Sequence, residues 1–257
     1  MDPTSRGNTA LWPDEWTSPK QNAQLESMRR ETSNALRYVF EELLPPVLRD
    51  SAAFAALARL AIGPSLMEMS RFRTRAVHLT DDEYETLYRN MKNVHDGTDN
   101  SDACIARIAN DLVGASVCDV GCGSGYLVER LREAKPEIPR FAGVDFVLNS
   151  AERHAGIEWH AAKIEALPFA DRAFDTVVCT HVIEHILDYR RAIEELRRIT
   201  ARRLIIVVPR EREGRYTFNP HFHFFPYKES FLRAIAPAPA QYVCEDIGRD
   251  IYFREDR

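Results

Sequence analysis

Asp119-Val120-Gly121-Cys122-Gly123-Ser124-Gly125-Tyr126 follows a short apolar run that begins at Ala115, and it opens a segment of helical periodicity. Glycines at 121, 123 and 125 let the backbone turn tightly and approach a ligand where any Cβ would collide, and the following helix N-terminus adds amide donors. The unit therefore reads as a strand, a cofactor loop and a helix. The glycine pattern by itself is also compatible with a dinucleotide-binding loop or a structural turn. Spacing disfavours the nicotinamide version, because G-x-G-x-x-G would require glycine at 126, where this chain has Tyr126.

Outward from this loop, strand and helix signals alternate to the C-terminus. Strands are expected at 115–120, 140–145, 157–160, 174–179, 203–208, 241–247 and 250–254, with helices at 124–134, 148–155, 188–200 and 228–235. Such alternation predicts an α/β fold whose parallel sheet is covered on both faces and binds ligands at the carboxyl ends of its strands. The last two strands, separated only by Gly248-Arg249, are expected to form an antiparallel edge hairpin.

Towards the N-terminus the pattern is helical. Leu25, Met28, Leu36, Val39, Phe40, Leu43 and Leu44 recur at spacings of three and four until Pro45-Pro46 stops the run. Helices follow at 51–62 and 65–78, and Thr80 and Glu83 form a capping box leading into Tyr84, Leu87, Tyr88 and Met91. A turn-rich stretch, His95 to Asn100, then separates this part from a helix at 101–112. The expected organisation is a flexible tail at 1–20, a helical region at 21–100 and an α/β core at 101–257.

At 257 residues with 45% hydrophobic content, the chain can build a substantial core, which excludes a wholly disordered protein. No apolar stretch approaches the roughly 18 residues of a membrane span, and no basic-then-apolar secretory leader opens the chain. Cys104, Cys118, Cys122, Cys179 and Cys244 are odd in number and lack C-x-x-C spacing, so reduced and mostly buried thiols in a cytoplasmic protein are expected. A net charge of −5, without a run of consecutive Lys or Arg, argues against a nucleic-acid partner.

Two further motifs bear on chemistry. Gly143-Val144-Asp145-Phe146 ends the next strand with a carboxylate that can accept hydrogen bonds from a ribose diol, and Phe146 can lie along an adenine face. Ala162-Lys163-Ile164-Glu165-Ala166-Leu167-Pro168-Phe169 then precedes Ala173-Phe174-Asp175-Thr176-Val177-Val178-Cys179 and Thr180-His181-Val182-Ile183-Glu184-His185. In this order the motifs resemble the class I S-adenosylmethionine-dependent methyltransferases, in the broad type 11-like subgroup. The resemblance covers about residues 110–257 and implies a Rossmann-like seven-stranded sheet preceded by a helical lid.

By that resemblance Asp119, Gly121, Gly123 and Gly125 line the methionine half of S-adenosylmethionine. Asp145 holds the ribose, Phe146 and Ile164 flank adenine, and Thr180 sits beside the sulfonium. Lys163 stands where the family usually has Asp, which leaves adenine recognition to the backbone of Ile164. The whole-chain layout is also somewhat similar to actinobacterial enzymes that methylate sugars or cap polysaccharides.

Methyl transfer from a sulfonium is an in-line displacement in which alignment dominates, and a protonated acceptor benefits from a base. His185 is the candidate general base by resemblance to small-molecule and sugar methyltransferases, with His181 the neighbouring alternative; a structural Glu184–His185 pair is the competing reading. In Asn219-Pro220-His221-Phe222-His223-Phe224-Phe225-Pro226, an extended backbone would put His221 and His223 on one side and Phe222 and Phe224 on the other. His223 is the site candidate of this segment, because family members often carry a His before a Phe pair. Some quinone-pathway relatives hold a divalent ion at the position of residues 181–185, but His181, Glu184 and His185 offer two imidazoles, a poor set for magnesium.

Arg89 is a candidate partner for the methionine carboxylate and competes with a solvated helix position, whereas Arg71, Arg73 and Arg75 read as an exposed or packing face. Arg210, Arg212 and Arg215 follow the fifth strand, with Glu211 and Glu213 between them offsetting an anionic acceptor. The expected activity is methyl transfer to a hydroxyl of a small molecule, with a sugar or glycan as acceptor. Its rivals are N- or C-methylation of a natural product and a silent cofactor-binding module. No nucleic-acid partner and no membrane span are expected, and a homodimer is allowed.

Overall fold

A computed structural model of the chain describes residues 44–62, 77–80, 82–83, 86, 98–148, 155–216 and 220–257. The expected tail at 1–20, the helices at 24–44 and 65–78, most of the helix at 148–155, and Arg71, Arg73, Arg75 and Arg89 lie outside or largely outside these residues. Helices α1 (Pro46–Arg49), α2 (Ala52–Ile62) and α3 (Asp102–Asp111) precede the sheet. Then come β1 (Ser116–Val120), α4 (Tyr126–Ala134), β2 (Arg140–Asp145), β3 (Glu158–Ala161) and β4 (Phe174–Thr180). A 3₁₀ helix (Ile183–His185), α5 (Tyr189–Ile199), β5 (Thr200–Pro209), α6 (Lys228–Ala234), β6 (Tyr242–Ile247) and β7 (Asp250–Asp256) complete the order.

The seven strands lie in the order β3-β2-β1-β4-β5-β7-β6. Pairings from β3 across to β5 are parallel, whereas β7 runs antiparallel to both β5 and β6. This is the expected α/β sheet with its antiparallel C-terminal hairpin; β7 is inserted beside β5 and β6 forms the edge. Adjacent side chains of one strand pack into opposite layers, as the period of two requires. Cys118, Val177 and Ile206 join Leu196 and Ile199 of α5 and Phe231 of α6. Val117, Val178 and Ile205 join Ile108 of α3 and Leu127 and Leu131 of α4. Cover on both faces is why these strands read as nearly unbroken apolar runs.

Local chemistry sets the element ends. Ser101 caps α3 by accepting the Cys104 amide through its hydroxyl at 3.2 Å. Thr80 donates its amide to the Glu83 carboxylate at 2.8 Å, and the Thr80 hydroxyl accepts the Glu83 amide at 3.4 Å, so the expected capping box is present. β5 begins at Thr200, three residues before the expected start, because the Thr200 hydroxyl donates to the Leu196 carbonyl at 2.6 Å and turns α5 directly into strand. The described front helices reach the region after β5. Arg49 donates to the Glu213 carbonyl at 2.9 Å, and the Asp50 carboxylate accepts the Arg215 amide at 3.0 Å.

Four of the five cysteines are buried and Cys244 is half-buried, all unpaired. Among the described residues no helix is long and apolar enough to cross a membrane.

Candidate functional site

The parallel strands end on one side at Val120, Asp145, Ala161, Thr180 and Pro209, and the chemistry-bearing residues collect there. The glycine loop is pinned to the neighbouring strand: the amides of Gly121 and Cys122 both donate to the Val144 carbonyl, at 2.7 and 3.0 Å. Gly121 has φ 78° and Gly125 φ 91°. A Cβ at 121 would collide with Val182, and one at 125 with the indole of Trp159. Both positions thus require glycine for conformation and for space. Gly123 differs, since a Cβ there would meet nothing within 4 Å; the loop presents an open backbone face.

Two carboxylates stand beside this face. Asp145 accepts the Gly123 amide at one oxygen and the Val147 amide at the other, each at 2.9 Å. The carboxylate keeps acceptor capacity for a hydroxyl. Burial holds the Asp145 pKa above the usual carboxylate range, against the pull of the Val147, Gly123 and Phe146 amides. Asp119, 1% exposed, has one oxygen, Oδ2, with no hydrogen-bond partner. Burial and then the Asp145 charge push its pKa up to about 7, against the Val128 amide. A buried acceptor without a donor is unfavourable by about 1–3 kcal/mol, so this corner is built to receive a donor or a cation. These residues fit S-adenosylmethionine: an open glycine face, an unsatisfied carboxylate for an ammonium group, and a braced carboxylate for a ribose diol. Ile164 is buried, Phe146 half-buried and Lys163 exposed.

Thr180 ends β4, and its hydroxyl accepts the Asn100 amide at 2.9 Å. Asn100, 1% exposed, also donates to Thr98 and accepts from the Cys104 thiol. From the sequence Asn100 reads only as part of a turn. The signal that could have found it is its place beside the Ser101 cap, where the chain enters the core.

The next residues form a cluster of buried ionisable groups. Val182 against Gly121 holds this segment next to the glycine loop. His181 adopts a left-handed conformation, φ 55°, and lies between carboxylates, its Nδ1 3.7 Å from Glu184 and its Nε2 3.7 Å from Asp250. Burial disfavours the cation, but Glu184, Asp250 and Asp99 outweigh it and raise the His181 pKa to about 9. At neutral pH His181 is therefore an imidazolium, which cannot accept a proton. Glu184 is 1% exposed; burial is outweighed by His181, His185 and His221, and its pKa falls to about 2. Burial and then the nearby His221 lower the His185 pKa to about 4, so that ring is neutral. His185 Nδ1–H donates a hydrogen bond to the Pro220 carbonyl at 3.2 Å, which puts the ring lone pair on Nε2.

The aromatic segment after β5 is latched onto this cluster. The Glu184 carbonyl accepts the amides of Phe222 and His223 at 2.8 and 3.2 Å. That latch brings His221 against His185, ring centroids 4.7 Å apart, and the Glu211 carboxylate lies 2.6 Å from His221 Nδ1. His223 is turned elsewhere: its Nε2 donates to the Ile186 carbonyl at 2.9 Å, and its ring meets Tyr189 edge-on. The alternation expected of an extended strand fails, because the segment bends and Phe222, His223 and Phe224 all line one cavity of about 410 Å³ with Tyr189 and Glu213. Among the described residues, the three whose ligand atoms converge, all within 4.8 Å of one another, are Glu184, His185 and His221. The sequence spacing of 36 between His185 and His221 hides this neighbourhood.

Comparison with known proteins agrees with this geometry. Residues 118–208 match the family model described as a methyltransferase domain. The chain is 30% identical over 135 residues to a biotin biosynthesis bifunctional protein of Teredinibacter turnerae, covering 47% of this chain and 23% of that protein. It is 27% identical to a ubiquinone/menaquinone biosynthesis C-methyltransferase of Geotalea uraniireducens, covering 43% and 53%. It is 35% identical to a ubiquinone biosynthesis O-methyltransferase of Neisseria meningitidis, covering 30% and 36%. The chain thus spans between about a quarter and a half of the length of these relatives. The region from β1 to β5, with its glycine loop and paired carboxylates, is a class I S-adenosylmethionine-dependent methyltransferase domain.

Proposed function

We propose that the protein transfers a methyl group from S-adenosylmethionine to a hydroxyl of a small molecule, with a sugar or glycan as the acceptor class. The observation that carries the cofactor half is the open face at Gly123 flanked by the unsatisfied Oδ2 of Asp119. When bound, the cofactor supplies an electrophilic methyl group. This chain's residues then have separate tasks. Asp119 and Asp145 bind opposite ends of the cofactor, Thr180, oriented by Asn100, borders the transfer point, and Ile164 and Phe146 flank the base.

The acceptor half rests on the cavity beside the cluster. Tyr189, Phe222 and Phe224 offer faces on which a sugar ring can stack, while Glu213 and His223 offer polar contacts. His185 accepts the acceptor's hydroxyl proton at Nε2, with the Pro220 carbonyl holding the opposite edge of the ring. His181, as a cation, stabilises Glu184 instead of acting as base. Residues 21–100 select the acceptor. Support for that role comes from Arg49 and Asp50, which tie α1 to the stretch around Glu213 at the cavity rim. A cytoplasmic setting accords with five unpaired cysteines.

His185→Ala is expected to lower turnover by about 10²–10⁴ while cofactor affinity stays near wild type, as for a group acting only in the transition state. Unchanged turnover would remove His185 from the mechanism. The acceptor is found by incubating the protein with methyl-labelled S-adenosylmethionine and cell extract, then identifying the labelled product by mass. Label on an ether oxygen is expected. Label on carbon, as the name of the Geotalea relative would suggest, overturns the hydroxyl reading, and tight cofactor binding without transfer assigns a silent module.

A further inference from the structure

The loop between β3 and β4 carries Ile164, placed beside adenine in the proposed site. Residues 162–173 form neither helix nor strand, so their backbone groups need partners from elsewhere. At the start of the loop the Ala162 amide donates to the Asp145 carbonyl at 3.1 Å, which joins it to the candidate ribose acid. Further along, α5 supplies the partners.

Glu195 and Arg198 lie one turn apart on that helix and face each other. Glu195 is 9% exposed, and one of its oxygens accepts the Leu167 amide at 2.9 Å. Arg198 grips both Glu195 oxygens, through Nε at 2.8 Å and Nη2 at 2.9 Å. Its other donors reach the loop: Nη2 to the Leu167 carbonyl at 3.0 Å, and Nη1 to the Phe169 carbonyl at 2.6 Å and the Asp171 carboxylate at 3.1 Å. All five N–H groups of the guanidinium are thereby engaged. From the turn before, Arg191 donates to the Glu165 carbonyl at 3.2 Å.

These bonds bracket one short stretch. Between the anchor at Ala162 and the anchor at Leu167 the chain makes a single turn, closed by the Ala166 amide on the Lys163 carbonyl at 3.1 Å. Ile164 lies in that turn, buried in the same apolar cluster as Leu167 and the α5 residues Ala192 and Leu196. An ion pair taken out of water adds little net stability, because desolvation offsets its attraction, but its directional bonds fix the geometry of what it holds.

We infer that Glu195 and Arg198 are positioning residues for the cofactor: through the loop backbone they hold Ile164 at the adenine face and so set the affinity for the adenosyl end, a role that rests on Ile164 flanking the base as proposed above. The guanidinium fork is essential to it. A lysine at 198 would keep the charge but offer three donors from one rotating ammonium, with no planar fork to span Glu195 and the loop carbonyls.

The test is calorimetry with S-adenosylhomocysteine on the full-length chain and on Glu195→Ala, Ile164→Ala and the double variant. Each single variant should bind at least about tenfold more weakly. The double variant should bind within about threefold of the weaker single, because both changes remove the same contact. Wild-type affinity in Glu195→Ala, or losses that multiply in the double variant as general softening of the fold would make them, overturns the positioning role. Wild-type affinity in Ile164→Ala instead removes the base-flanking assignment, so the two failures are read from different variants. Arg198→Lys should lose as much affinity as Arg198→Ala, and rescue by lysine would overturn the part assigned to the fork. Should Glu195→Ala fail to fold, Arg198→Lys takes its place in the cycle and the same outcomes decide.

Discussion

Asp119 is a buried acid at the edge of the cofactor loop, and its environment makes a prediction about stability. Its folded pKa is raised from 3.8 to about 7 by burial and the Asp145 charge. A raised folded pKa means that its contribution is fully present below pH 3.8 and is lost as pH rises through 7. Wild-type stability should therefore fall across that window by up to about 1.4 kcal/mol per pH unit relative to Asp119→Asn, measured by urea unfolding of the cofactor-free protein. Parallel pH profiles would show that Asp119 is ionised throughout. Asp145→Ala should weaken cofactor binding by about 10- to 100-fold, since it removes two braced acceptor positions. Calorimetry with S-adenosylmethionine reads this directly, and equal affinity would contradict a ribose role. Both acids were legible in the sequence, because each follows an apolar strand at the motif position. Asn100 was not, because its bond to Thr180 spans 80 residues and leaves no local pattern.

At the scale of elements, the strand–loop–helix unit around Gly125 is held by side chains from other strands. Gly125 has φ 91° and its missing Cβ would lie in the Trp159 indole of β3. Gly125→Ala should destabilise the fold by about 2–4 kcal/mol, combining left-handed strain with a steric collision. Adding Trp159→Ala should recover only the steric part, so thermal melts of single and double variants separate the two effects; full recovery would deny the backbone component. The loop could be read from glycine spacing alone, but Trp159 as its lid could not, since the contact depends on β3 pairing with β2. The same holds for the aromatic stretch after β5. Its predicted alternation assumed an extended strand, and the bond from Phe222 to the Glu184 carbonyl bends it instead. Local periodicity carries no information about a hydrogen bond made by a distant turn.

For the whole molecule, the sheet gathers the carboxyl ends of its five parallel strands on one side, and among the described residues α1 and the turn after it reach the segment after β5 through Arg49 and Asp50. Arg49, 8% exposed, reaches the Glu213 carbonyl and packs near Gly214. Arg49→Ala should loosen this attachment by about 1–3 kcal/mol, seen as faster amide exchange at residues 210–216 with the exchange of β1 and β4 unchanged. Exchange altered equally throughout the sheet would mean that Arg49 supports global stability, not the rim of the cavity.

The sequence by itself determined the α/β class, nearly all strand positions in the core, the antiparallel end and the cofactor loop. These follow from periodicity, glycine spacing and strand-end acids, which are properties of short stretches. Only the tertiary structure decided which histidines share a site. His181 becomes a cation because β7 brings Asp250 to it, while His221 joins Glu184 and His185 because the segment after β5 folds back onto the 3₁₀ helix. Protonation and grouping depend on neighbours in space, and those neighbours are chosen by strand pairing and long-range hydrogen bonds that no local pattern encodes.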